Sequence, residues 1–172
     1  MQAPTGACRR APSFQASAAP ILSALMLAVS APAMAQQVRI NQLNDFAFGT
    51  LTANGTTNVS RTDNLCAYTS ATTLGYRVTA SGSGSSGAFT LANGGNALAY
   101  TVQWSGTSGA TSGVQLTSGT ALAATTTSTA NSACLLGTGT NATVIVTLPA
   151  ANVTAVPAGA YSGTLTLTIV PN

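Results

Sequence analysis

Histidine, lysine and glutamate are absent from this 172-residue sequence, and only Asp45 and Asp63 carry side-chain negative charge. These gaps remove the common general bases and the amine that forms Schiff bases. Serines and threonines are plentiful, yet no base is present to activate them as nucleophiles. Two aspartates are the minimum for a paired-carboxylate hydrolase. Both lie beside asparagines, however, where an aspartate ordinarily caps a turn. The glycine-rich stretches contain no P-loop lysine. With no histidine and no close-spaced cysteine pair, a metal ion has no ligand set. The expectation is a chain that is not an enzyme and uses no cofactor.

Charge is scarce too: five basic residues against two acidic ones, a net +3. Much of that excess sits at the start. Arg9 and Arg10 precede an apolar or small stretch over 16–29, with Ile21, Leu22, Leu25, Met26, Leu27 and Val29 at its centre. Ser30-Ala31-Pro32-Ala33-Met34-Ala35 follows, and Ala33 and Ala35 satisfy the small-residue rule of signal peptidase. The apolar run falls short of the roughly 20 residues that a membrane span needs. Residues 1–35 therefore read as a secretory signal cleaved after Ala35, and 36–172 as one domain with no membrane span. Cys8 precedes the apolar run, whereas a lipid-attachment cysteine follows it. Ala11-Pro12-Ser13 does not suit a twin-arginine signal. Beyond the leader, Arg39, Arg61 and Arg77 face Asp45 and Asp63, which gives no reason to expect nucleic acid or anionic lipid as a partner. Such low charge suits a subunit packed in an assembly.

Removal of the leader takes Cys8 with it and leaves Cys66 and Cys134, an even pair in an oxidising compartment. A bridge between them closes a loop of about 68 residues, worth roughly 4 kcal/mol in the chain-entropy picture. Two buried free thiols are the alternative.

The remaining chain reads as strands and turns, all-β, with no segment of sustained helical periodicity. Leu98, Tyr100, Val102 and Trp104 alternate with Ala99, Thr101 and Gln103. Val144, Val146 and Leu148 alternate with Thr143, Ile145 and Thr147, and Tyr161, Gly163, Leu165, Leu167 and Ile169 alternate with Ser162, Thr164, Thr166 and Thr168. Strands of this kind bury one face and turn a threonine-rich face to solvent, as in antiparallel sheets. Asn93-Gly94-Gly95-Asn96 is the strongest hairpin signal. Segments 81–87 and 105–113 read as loops, 117–133 as a strand plus a long surface loop, and the turn at 157–159 introduces the last strand. Seven to nine short strands at this spacing suggest a β-sandwich. Trp104 is a core residue on this pattern, with a sugar-stacking platform as the sharper alternative.

Leu65-Cys66-Ala67-Tyr68, then Tyr76-Arg77-Val78-Thr79-Ala80-Ser81-Gly82-Ser83-Gly84, Gly87-Ala88-Phe89-Thr90-Leu91, Leu98-Ala99-Tyr100-Thr101-Val102-Gln103-Trp104, Cys134 and Gly159-Ala160-Tyr161-Ser162-Gly163-Thr164-Leu165-Thr166-Leu167 occur in this order. Together with Phe48-Gly49-Thr50-Leu51 near the start, they resemble the spore coat protein U domain family, which is similar to the pilins of archaic chaperone–usher fimbriae. The resemblance spans essentially the whole of 36–172. It implies an immunoglobulin-like antiparallel β-sandwich that lacks its last strand. A periplasmic pilus chaperone, an outer-membrane usher and neighbouring fimbrial subunits would be the partners, and a donor strand would complete the domain by β-augmentation. On that reading Tyr161, Leu165, Leu167 and Ile169 line the acceptor groove, and Val38 and Ile40 lie in the segment that would serve as donor. That segment is short for such pilins, which suggests a subunit that accepts a strand but donates poorly. The expected location is the periplasm in transit, then a surface fimbria or the secreted medium. A tip adhesin or carbohydrate-binding module using Trp104 and the loops at 81–87 and 105–113 is the alternative on the same scaffold. A free-standing secreted coat or matrix protein is a third reading.

Overall fold

Period-two alternation becomes nine β-strands in the computed structural model, which describes residues 37–51, 55–70, 75–122, 134 and 136–171. The proposed cleavage point after Ala35, and most of the surface loop expected within 117–133, lie outside the described residues. The strands are β1 (Val38–Asn41), β2 (Val59–Thr69), β3 (Tyr76–Gly82), β4 (Thr90–Asn93), β5 (Asn96–Ala99), β6 (Thr101–Ser105), β7 (Val114–Gln115), β8 (Ala142–Leu148) and β9 (Leu165–Pro171). Every pairing is antiparallel. Among the described residues, helix amounts to a 3-10 turn at Ser85–Gly87, one short helix, α1 (Ala150–Thr154), and the single helical residue Cys134. The chain is all-β.

The largest sheet has the order β1-β2-β8-β6-β7. Its spine is the β2–β8 ladder, which runs in register from Val59↔Leu148 to Leu65↔Ala142. On the other side of β8, β6 pairs Val102 with Val146 and Trp104 with Val144. Directly opposed residues point to one face, so Leu65, Val144, Val146, Val102 and Trp104 share the inner face, and all are buried. A second sheet pairs β3 with β9, from Gly82↔Leu165 to Tyr76↔Pro171. Its inner residues Tyr76, Val78, Ala80 and Ile169 belong to the same buried cluster. Tyr76 meets Trp104 edge to face, with ring centroids 6.3 Å apart, a geometry favoured by the ring quadrupoles.

The hairpin expected at Asn93-Gly94-Gly95-Asn96 is present: β4 and β5 pair Asn93 with Asn96 across a two-residue turn. Gly94 there takes φ 57°, where a side chain would be strained. The run from Leu98 to Trp104 is not one strand. It leaves β4 at Ala99 and rejoins the large sheet at Thr101, so consecutive halves serve different sheets. Leu98, Tyr100, Val102 and Trp104 stay buried throughout, and the alternation survives the change of partner.

Cys66 and Cys134 are both fully buried and joined by a disulfide, with Cα atoms 5.4 Å apart, within the usual span. Next to this bridge Asn141 acts as a surrogate strand residue. Its Nδ2 donates to the Ala67 carbonyl and its Oδ1 accepts from the Ala67 N–H, both at 2.8 Å. The bridge spans 68 residues. Its removal by Cys66→Ser with Cys134→Ser is expected to lower the unfolding free energy by about 4 kcal/mol. Urea unfolding of the oxidised and double-serine proteins measures this, and coincident transitions would contradict the role.

Candidate functional site

β9 uses only one of its edges. Its register is with β3, and among the described residues no other strand pairs with it. The far edge of β3 is occupied, since Gly119 donates to the Ala80 carbonyl and Leu122 to that of Val78. The open edge of the pair is therefore that of β9, and it borders a groove of about 1050 Å³.

The groove floor consists of Val144, Val146 and Leu148 from β8, with Leu91, Leu98 and Tyr100 from the β4–β5 region. One wall is 161–167, leading into β9, where Leu165 and Leu167 point inward but are only half-buried. The other wall is the arm at 43–51. Its Phe46, Phe48 and Leu51 pack against the core while remaining partly exposed. Among the described residues the arm makes no backbone–backbone hydrogen bond. An apolar floor thus lies between the open edge of β9 and an arm that makes no strand pairing among the described residues. The β8 floor residues are buried, but Phe46, Phe48, Leu165 and Leu167 on the walls are left partly in water, a standing free-energy cost of about 25 cal/mol per Å² of exposed apolar area.

The groove is lined mainly by apolar side chains and main chain. Its titratable lining comprises Asp45, Tyr100 and Tyr161. Burial pushes the Tyr100 hydroxyl above its ordinary value, so the neutral phenol is favoured, and its ring lies 5.6 Å from that of Phe89. The Tyr161 hydroxyl donates to the Pro157 carbonyl at 2.9 Å, which pins the turn that feeds β9. Among the described residues no three metal-ligating side chains come together, and no helix is long and apolar enough to cross a membrane.

Of the residues singled out in the sequence, Tyr161, Leu165 and Leu167 line the groove. Ile169 lies beyond it, 9 % exposed in the core. Val38 and Ile40 form β1, paired with Thr69 and Ala67 of β2. Trp104 is 2 % exposed, and its Nε1 has no partner among the described residues. The loop at 105–113 is tied down: Asn64 Oδ1 accepts from the Gly109 N–H and the Thr143 hydroxyl, while Thr143 Oγ1 accepts from the Ala110 N–H. The floor residues Leu91, Leu98 and Val146 and the wall residues Phe46 and Phe48 carry no mark in the sequence that separates groove from core. Their apolar alternation is the same in both settings.

No protein-family model, curated protein or solved structure matches this chain.

The groove predicts a contrast between two leucines. Leu65→Ala, at a fully buried site, is expected to cost about 2–5 kcal/mol. Leu167→Ala, half open to the groove, is expected to cost about 1 kcal/mol. Urea unfolding of both variants measures this, and equal losses would mean that the groove is closed in solution.

Proposed function

We propose that this chain is a structural subunit of a surface fimbria, with no catalytic role. On this reading it is an immunoglobulin-like sandwich short of one strand, exported to the periplasm. A pilus chaperone fills the groove before the usher passes the subunit on, and a donor strand from a neighbouring subunit then takes its place. The observation that carries the proposal is the open edge of β9 beside an apolar groove whose opposite wall makes no backbone–backbone hydrogen bond among the described residues. An extended peptide with apolar side chains at alternate positions suits it on both counts. Its main chain supplies the missing hydrogen bonds, and every second side chain enters the floor. The low charge of 36–172 and the lack of histidine, lysine and glutamate agree with a packing role. The burial of Trp104 removes the aromatic platform on which the adhesin reading relied.

The test uses the mature oxidised chain and a synthetic peptide of alternating valine and threonine. A bound strand is expected to stabilise the fold by about 2.7 kcal/mol at about 100 Kd, which raises Tm by several degrees. A peptide of the same composition with its alternation broken should have no effect, and Leu167→Lys should abolish the shift. A wild-type chain that stays monomeric and ignores both peptides would overturn the proposal.

A further inference from the structure

The inner face of β2 changes character along its length. Leu65 and Ala67 are apolar and fully buried, but the preceding same-face positions are Asp63 and Arg61. They stand opposite Val144 and Val146, two residues of the groove floor. Charged side chains in that position need a reason, and the arm at 43–51 supplies one. Asp63 Oδ2 accepts from the Asn44 N–H at 2.7 Å, and Asp63 Oδ1 accepts from Asn44 Nδ2 at 2.9 Å. Arg61 Nε donates to the Ala47 carbonyl at 3.3 Å, and Nη1 is occupied by the Ser60 carbonyl at 3.1 Å. Among the described residues these are the polar ties between the arm and the sheet.

Both ends of the arm are built to turn. Gln42 takes φ 65°, a left-handed conformation uncommon outside glycine. Its Nε2 donates to the Gly137 carbonyl at 2.6 Å. The Oε1 of Gln42 and the Oδ1 of Asn41 are buried without a partner among the described residues. Gly49 takes φ 69°, and a Cβ there would meet nothing within 4 Å, so backbone conformation and not space calls for glycine. An arm with no ladder bonds and under-satisfied at one end is seated by the packing of Phe46, Phe48 and Leu51 and tied to the sheet by these two polar side chains.

We infer that Asp63 and Arg61 form a clamp that positions the arm, and thereby the wall of the groove, without touching what the groove binds. They are positioning residues. The second readout below rests on the strand-binding proposal; the first does not.

Chymotrypsin cleavage after Phe46 and Phe48 in the mature oxidised chain reads the arm directly, with Trp104 emission as the check on the fold. Asp63→Ala is expected to accelerate cleavage about tenfold, as for loss of hydrogen bonds to a charged group. Asp63→Asn retains an acceptor for the Asn44 N–H and should restore most of the protection. Arg61→Gln, at an exposed position, should give a smaller acceleration. Cleavage of Asp63→Ala at the wild-type rate, or no rescue by Asp63→Asn, overturns the clamp. If Asp63→Ala loses native Trp104 emission, Arg61→Gln decides in the same way. In the second readout, Asp63→Ala should weaken the alternating peptide about tenfold. A wild type that binds no peptide while its arm still responds to Asp63→Ala sinks the fimbrial reading and leaves the clamp standing. An unresponsive arm sinks the clamp whatever the peptide does.

Discussion

The inner face of the β2–β8–β6 sheet is apolar along most of its length and must be covered. At one end the cover is conventional. Tyr76, Val78 and Ala80 of β3 lie over Leu65, Ala67 and Trp104, and the disulfide secures that end from the other side of β2. At the other end Val144, Val146 and Leu148 are roofed by the β4–β5 hairpin and the approach to β9, joined only by the Ala92–Ser162 bridge, and by the arm, which makes no backbone–backbone hydrogen bond among the described residues. The groove is what remains when a sheet face is longer than its paired cover. Its consequences follow from solvation, since a half-covered leucine keeps part of its hydration cost and an unpaired edge invites another strand.

β9 carries none of the usual guards against that invitation. Its solvent-side residues are Thr166, Thr168 and Val170, with no charge among them, and its proline comes only at the last position, Pro171. Val170 is itself half exposed. A free monomer gains nothing from such an edge, and a subunit that is always occupied by a partner strand loses nothing by it. The scarcity of charge across the whole chain fits the second condition better.

Much of this was legible in the sequence, for identifiable reasons. The alternation of β9 sets Leu165, Leu167 and Ile169 against exposed Thr166 and Thr168, whereas in β8 the expected solvent face is largely covered, with Thr143 and Ile145 buried, and Asn93-Gly94-Gly95-Asn96 forms the turn its chemistry favours. Counting cysteines was enough to pair Cys66 with Cys134. The break at Tyr100 was invisible, because a strand that changes sheets without changing its buried parity leaves the pattern intact. Helix α1 is too short to show a period. Asp63 was legible only as a turn-capping aspartate; it does cap Asn44, but from the middle of an eleven-residue strand and across nineteen positions of sequence. The groove's outline depends on which strands lack partners, and a side-chain pattern does not record that.

The first strand bears on the expectation that this subunit accepts more readily than it donates. Val38 and Ile40, the apolar pair a donor would present, are committed to β2 in register with Thr69 and Ala67. The commitment extends past the strand. The Gln37 N–H donates to the Ser70 hydroxyl, the Gln37 carbonyl accepts from the Ser70 N–H, and Asn41 Nδ2 reaches the carbonyl of the disulfide-bonded Cys134. Lending Val38 and Ile40 to a neighbour would break this ladder, uncover the flank of Cys66 opposite Asn41, and release the arm at its Gln42 end. The wall of the chain's own groove would then lose its anchor. On the proposed fimbrial reading, donation and acceptance would therefore compete for one continuous stretch of backbone, which in this structure is committed to β1 and the groove wall.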